Sequence, residues 1–437
     1  MLIFIVPIFF LGCANGSFDT KSLMHPPKAT GEKAEVQKLL YKEAGQNITL
    51  KYPKSGEYRF PVIITNLLND DREQALAFYS ENDDKKSGTN IMIMEKSSDK
   101  WRVVTVLKNQ GNDIDKICFG DINKDGKKEI IVGWTSFKNT GNIINAYSYD
   151  GIDMHTINLI DKYNDFIVAD LDDEIGDEIL LLTLNSADSP ALARLIKFND
   201  QSESINTIGS VDMNADAISY QAIKLGKIDE STLGIFVDEI LNGNKTSTEF
   251  IYWDCQQKQL KNPLYHKHGF GDSPFIRSDS ALSMDIDNDG IIEIPTQYNI
   301  KNYTPDINSP LCASTWVKYN PSDNSSKEIL NTIINTKDKY IFNFPKEWEE
   351  KVTITLDDDI LKFNKLVMGE NNLDSDNNVL FSIKALPTAN LDKTLSENNG
   401  YITLKSNDQQ SYIALISQDN TLSINENDVI NKFKTYN

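Results

Sequence analysis

Asp121-Ile122-Asn123-Lys124-Asp125-Gly126-Lys127-Lys128-Glu129, followed at once by Ile130-Ile131-Val132, decides how the rest of the chain is read. Side-chain oxygens stand at its first, third, fifth and ninth positions, and a glycine at its sixth. Oxygens at that spacing suit a hard cation such as Ca²⁺, and the glycine lets the loop turn sharply. The apolar, β-branched run that follows means the loop feeds a strand.

The scheme recurs. Asp170-Leu171-Asp172-Asp173-Glu174-Ile175-Gly176-Asp177-Glu178 has acids at the same four positions, with Ile175 where the glycine stood, and runs into Ile179-Leu180-Leu181-Leu182. Asp285-Ile286-Asp287-Asn288-Asp289-Gly290-Ile291-Ile292-Glu293 repeats it before Ile294. Each copy is followed by a strand ending in an aromatic and a turn residue: Tyr149-Asp150, Phe198-Asn199 and Tyr319-Asn320. The turn residue comes 29 positions after the first motif residue in two copies (121 to 150, 170 to 199) and 35 in the third (285 to 320), a six-residue insertion.

That lag exposes two decayed copies. Trp253-Asp254 points back to Leu225–Leu233, with Gly234-Ile235-Phe236-Val237 where the strand belongs. Glu95 points back to Asn66–Gln74, followed by Ala75-Leu76-Ala77-Phe78. First positions at 66, 121, 170, 225 and 285 make five repeats. A unit of this length holding about four short strands predicts a propeller blade. The expected fold is mainly β: a β-propeller of about five four-stranded blades over residues 47–335, then a small α+β domain over 336–437.

The region resembles the FG-GAP or VCBS-type repeats and the calcium-bearing blades of the integrin α-subunit head. That resemblance implies Ca²⁺ held by Asp121, Asn123, Asp125 and Glu129; by Asp285, Asp287, Asp289 and Glu293; and by Asp170, Asp172, Glu174 and Glu178. The seventh-position carbonyls of Lys127, Gly176 and Ile291 would complete the shells. Integrin-like heads have seven blades, against five repeats here. EF-hand and dockerin loops share the oxygen spacing but continue into helices, and these loops continue into strands.

The formal net charge is -20, from 44 Lys+Arg against 64 Asp+Glu. Nucleic acid as a partner is excluded by that balance, because phosphates need a basic surface. Met1–Leu11 is almost wholly apolar, and Gly12-Cys13 follows. It is too short to span a bilayer and reads as a signal-peptide core, with Cys13 in the lipidated position of a bacterial lipobox. The expected location is extracytoplasmic, lipid-anchored to the cell membrane of a Gram-positive type bacterium, with an ordinary cleaved signal peptide as the alternative. Residues 14–46 read as a linker ending in a short helix over Glu32–Ala44. Cys118 reads as a packed thiol, and Cys255 and Cys312 could pair in an oxidising setting.

Signs of catalysis are sparse. There is no nucleophile elbow, H-E-x-x-H, P-loop or dinucleotide turn, and His266-Lys267-His268 lacks a third metal ligand nearby. An acid pair of glycosidase type is a separation in space, which spacing in sequence does not give. Three functions stay open: a monomeric binding or scaffold module taking a protein or glycan at the propeller face, a glycan-active surface enzyme, and a structural envelope component. Binding is favoured over catalysis. Trp348 reads as core rather than as a ligand platform, given Phe342 and Phe344 beside it.

Overall fold

The computed structural model of the chain describes residues 30–82, 88–108, 113–135, 141–187, 189–199, 204–265, 273–304, 309–366, 378–398, 400–418 and 421–436. Cys13, His25, His266 and His268 lie outside them. The described residues form two compact units, one of those from 30 to 117 with 149–155, the other of those in 118–148 with those from 156 on.

In the first unit, helix α1 (Glu32–Ala44) stops at Gly45, which takes a positive φ of 86°. Its buried residues Val36 and Leu40 pack on the first blade. There Ile48–Leu50 and Val62–Thr65 both pair with Gln74–Glu81, which is followed by Asn90–Ser97 and Lys100–Leu107.

Four more antiparallel sheets follow in chain order. Blade two is Ile114–Gly120, Glu129–Trp134, Asn142–Tyr149 and Met154–Tyr163. Blade three is Asp165–Ala169, Glu178–Thr183, Leu192–Asn199 and Ser204–Asp212. Blade four is Ala217–Lys227, Leu233–Leu241, Lys245–Asp254 and Gln259–Lys261. In blade five the first strand shrinks to a single bridge between Met284 and Glu293, and Ile294–Gln297, Leu311–Asn320 and Ser325–Asn335 follow. Four of the five motif copies therefore fall between a first and a second strand, and the Leu225 copy begins inside its first strand, Ala217–Lys227. The aromatic-and-turn pairs fall at the ends of third strands.

The second strands explain their own composition. Successive side chains of a strand point to opposite faces. Ile179 and Leu181 of blade three pack with Ile131 and Ile144 of blade two, while Leu180 and Leu182 pack with Ile235 and Val237 of blade four. Phe236, between the latter two, joins Phe250, Ile294 and Val317 at the blade five side. A strand buried on both faces needs an unbroken apolar run, which is what Ile-Leu-Leu-Leu and Gly-Ile-Phe-Val supply. Phe250 meets Tyr319 edge-on at 5.2 Å between ring centres, so the aromatic that marked the repeat is an inter-blade contact.

Past Asn335 the chain adds Tyr340–Phe344 to the edge of blade five. It then builds a five-stranded antiparallel sheet carrying two short helices, α2 (Leu391–Glu397) and α3 (Glu426–Lys432). The last strand, Phe433–Thr435, returns to pair with Tyr340–Phe344. Blade five and this segment share one core, in which Phe363 stacks on Phe381 at 4.1 Å and buried Trp348 stacks on Phe342 at 6.0 Å. The fold class matches the sequence reading: mainly β, of β-propeller-type blades, with a small α+β segment at the C-terminal end.

Candidate metal centre

The ninth motif residue begins the second strand, and its carboxylate turns back to clamp the loop. Glu129 Oε2 accepts the Ile122 N–H at 2.9 Å, Glu178 Oε2 that of Leu171 at 2.9 Å, and Glu293 Oε2 that of Ile286 at 2.8 Å. In the decayed first loop Gln74 Oε1 does the same for Leu67 at 2.8 Å. The clamp thus survives the loss of charge. The fourth position has positive φ at Asn69, Lys124, Asp173 and Asn288 (53°, 66°, 59° and 63°), a bend kept in four loops of five. The glycine differs. Gly126 and Gly290 sit at the sixth position with φ of 81° and 88°, whereas the Asp170 loop moves its left-handed glycine one place on, to Gly176 at 99°.

Neighbouring loops also touch. The Asp121 N–H donates to Asp177 Oδ2, and the Asp177 N–H donates to Asp121 O, both at 2.8 Å. Ile292 N–H donates to Lys227 O at 2.9 Å in the same way between blades four and five.

Carboxylate oxygens of Asp170, Asp172 and Glu178 lie within 4.8 Å of one another, as do those of Asp285, Asp287 and Asp289. Such clusters could hold a metal ion. A lysine from the third strand already reaches into each. Lys197 Nζ pairs with Asp172, with Glu178 Oε1 at 2.9 Å and with Glu174 Oε2 at 3.2 Å. Lys318 Nζ pairs with Asp289, with Asp287 Oδ2 at 3.1 Å and with Glu293 Oε1 at 3.2 Å. Burial alone would lower both ammonium pKa values, and the carboxylates outweigh it, leaving both raised.

The Asp121 loop differs at this point. Lys197 lies 27 residues after Asp170, and Lys318 lies 27 after Asp285 once the six-residue insertion is removed; the equivalent residue after Asp121 is Ser148. Asn123 Nδ2 contacts Ser148 Oγ at 3.5 Å and Glu129 Oε1 at 3.0 Å. Among the described residues the loop's one ion pair is Lys127 to Asp125, at 3.9 Å. Asp121 Oδ1 is buried without a hydrogen-bond partner there, although Oδ2 accepts the Gly126 N–H at 3.0 Å. Burial pushes Glu129 up to about 7 and raises Asp121 as well. The Asp121 loop thus keeps an orphaned buried oxygen beside a desolvated carboxyl with no ammonium reaching it, an environment that suits a hard cation. The structure does not, however, bring the oxygens of Asp121, Asp125 and Glu129 within the 4.8 Å that the other two sets share.

Of the residues expected to hold metal, the structure brings Asp170, Asp172 and Glu178 together, and likewise Asp285, Asp287 and Asp289. Glu174 is mostly exposed and reaches the cluster through Lys197. The two lysines went unread in the sequence. Their signal is a lysine immediately before the aromatic of Phe198-Asn199 and Tyr319-Asn320, with serine before Tyr149-Asp150. Cys255 and Cys312 are not joined by a disulfide, so the possible Cys255–Cys312 bridge is not formed.

No protein-family profile and no curated protein matches the chain. Similar solved structures include Sqt1 of Saccharomyces cerevisiae, at 8% identity and TM-score 0.36, with 69% of this chain and 79% of that one covered. The exotype rhamnogalacturonan lyase YesX has 10% identity and TM-score 0.33, with 74% and 72% covered. The β-propeller domain of the Trilobed protease from Pyrococcus furiosus has 13% identity and TM-score 0.29, with 70% and 78% covered. At those scores the reading of the fold rests on the sheets themselves. They define a chain of propeller-type blades with acidic loops between first and second strands.

Proposed function

We propose that this is an extracytoplasmic binding module of the FG-GAP or VCBS type, lipid-anchored at Cys13, whose blades are steadied at the Asp121 loop by Ca²⁺. Asp121, Asn123, Asp125 and Glu129, with the Lys127 carbonyl, would hold the ion. The observation that carries this reading is the buried, unpartnered Asp121 Oδ1 beside the desolvated Glu129 carboxyl. Bound Ca²⁺ supplies positive charge that these oxygens otherwise lack. In the Asp170 and Asp285 loops Lys197 and Lys318 supply it instead, and an ion entering there must displace an ammonium.

Thermal melts of the full chain in EDTA and in added Ca²⁺ test this. A ligand that binds only the folded state raises stability by about 2.7 kcal/mol at a hundred times its Kd. The expected result is a melting temperature that rises with Ca²⁺ in the native sequence and does not in Asp121→Asn. A melt indifferent to Ca²⁺ would overturn the assignment.

A further inference from the structure

A cavity of about 460 Å³ opens between blades four and five, away from the metal loops. Leu233–Leu241 of blade four runs from the decayed loop at one end to the Gly243-Asn244 turn at the other. Nine residues of strand span roughly 30 Å, and the cavity is at the Gly243-Asn244 end.

Its lining is mixed in a specific way. Ile300, Leu311 and Ala313 are buried and contribute apolar surface. Tyr298 and Tyr303 contribute two rings, and Gln221 and Asn299 exposed amides. Several of these groups are held by contacts of their own. The Tyr298 ring lies 5.8 Å from Phe344 and its N–H donates to Ala313 O at 3.0 Å. Tyr303 Oη and Ser309 Oγ are 3.2 Å apart, and Gln297 Oε1 accepts the Ser278 N–H at 2.8 Å.

The charge balance selects among ligands. Asp279 is the cavity's one carboxylate among the described lining residues, and buried Arg277 stands 3.8 Å from it. Lys245 is the one cation of that lining, and it is exposed. A phosphate or other dense anion would find no cluster of cations, and a lipid tail would leave the amides and hydroxyls unpaired. A ring bearing many hydroxyls over apolar C–H faces satisfies both parts of the lining: amides and hydroxyls that donate and accept, and tyrosines that cover a flat face. The volume lies within the range of small-molecule sites, roughly 300–1,000 Å³.

We propose that this cavity binds a neutral saccharide unit of one or two rings. The inference rests on the binding-module reading and names its ligand class. Saturation-transfer NMR on the full chain would use glucose, galactose, mannose, N-acetylglucosamine, N-acetylgalactosamine and their common disaccharides, each at about 5 mM, where a Kd near 1 mM (about 4 kcal/mol) is detected. At least one of these is expected to bind, with Tyr298→Ala losing the signal and exposed Asn299→Ala and Gln221→Ala each weakening it about tenfold while melting as the native chain does. No transfer to any of these sugars would overturn the proposal, as would transfer that all three variants leave intact. The calcium melt separates the two failures: a Ca²⁺ shift without sugar binding removes only the cavity assignment.

Discussion

Lys197 and Lys318 do in two loops what a divalent ion is proposed to do in a third. Each ammonium is surrounded by carboxylates from positions three, five and nine of its loop, and Lys197 is 9% exposed. Removing one partner of a buried ion pair leaves uncompensated charge, a loss of about 3 kcal/mol or more. Lys197→Met is therefore expected to lower unfolding free energy in EDTA by about 3 kcal/mol, measured by urea titration, and added Ca²⁺ should restore part of it. A neutral effect would mean that the lysine only lies over the acids. The lysines were missed in the sequence because their partners lie 19 to 31 residues upstream, a distance bridged only when the third strand folds back across the loop. The acids themselves were legible because one loop carries them all.

Among elements, the loop and the hairpin of blade four each make a separate demand. Gly126 and Gly290 hold φ values of 81° and 88° with no atom within 4 Å of an added Cβ, so substitution there meets backbone strain alone. Alanine at either is expected to cost about 1–2 kcal/mol by denaturant titration. In the Asp170 loop the same test should find Ile175→Gly without that dependence, since the left-handed residue there is Gly176. The sequence shows that one-residue slip, with Ile175 at the sixth position and Gly176 at the seventh.

The second and third strands of blade four bury Glu239 and Glu249 side by side. Asn214 Nδ2 and Ser247 Oγ donate to Glu239 Oε2 at 3.0 and 2.8 Å, while the Asn214 N–H and Asn262 Nδ2 donate to Glu249 at 3.0 and 2.9 Å. Burial, then the charge of Glu249, raises Glu239 well above its ordinary value, and burial raises Glu249. A carboxyl whose folded pKa is raised binds more protons folded than unfolded. Its stabilising contribution is complete below the unfolded value near 4.5 and is lost as pH climbs towards the folded one. The melting temperature should fall as pH rises from about 4.5, and Glu239→Gln should make that slope shallower. An unchanged slope would remove this pair as its source.

Across the molecule, what the sequence disclosed followed from repetition. The lag of 29 residues from loop to turn residue pointed back to two copies that had lost their ligands, because the strand spacing of a blade persists without an ion. Trp253 keeps the aromatic in one of them, and Met94 stands in its place in the other. Residues beyond Asn335 were harder to place. The segment has no repeat of its own, and Phe433–Thr435 pairs with a strand nearly a hundred residues earlier. The repeats do show where stability resides. Leu180 is fully buried between blades three and four, so Leu180→Ala should cost about 2–5 kcal/mol in urea titration.

In the proposed division, one loop is open to a divalent ion while two are closed by lysines. Equilibrium dialysis of the full chain against Ca²⁺ counts the occupied sites directly. One ion per chain, lost in Asp121→Asn and kept in Asp285→Asn, is the predicted result. Three ions per chain, or none, would contradict it.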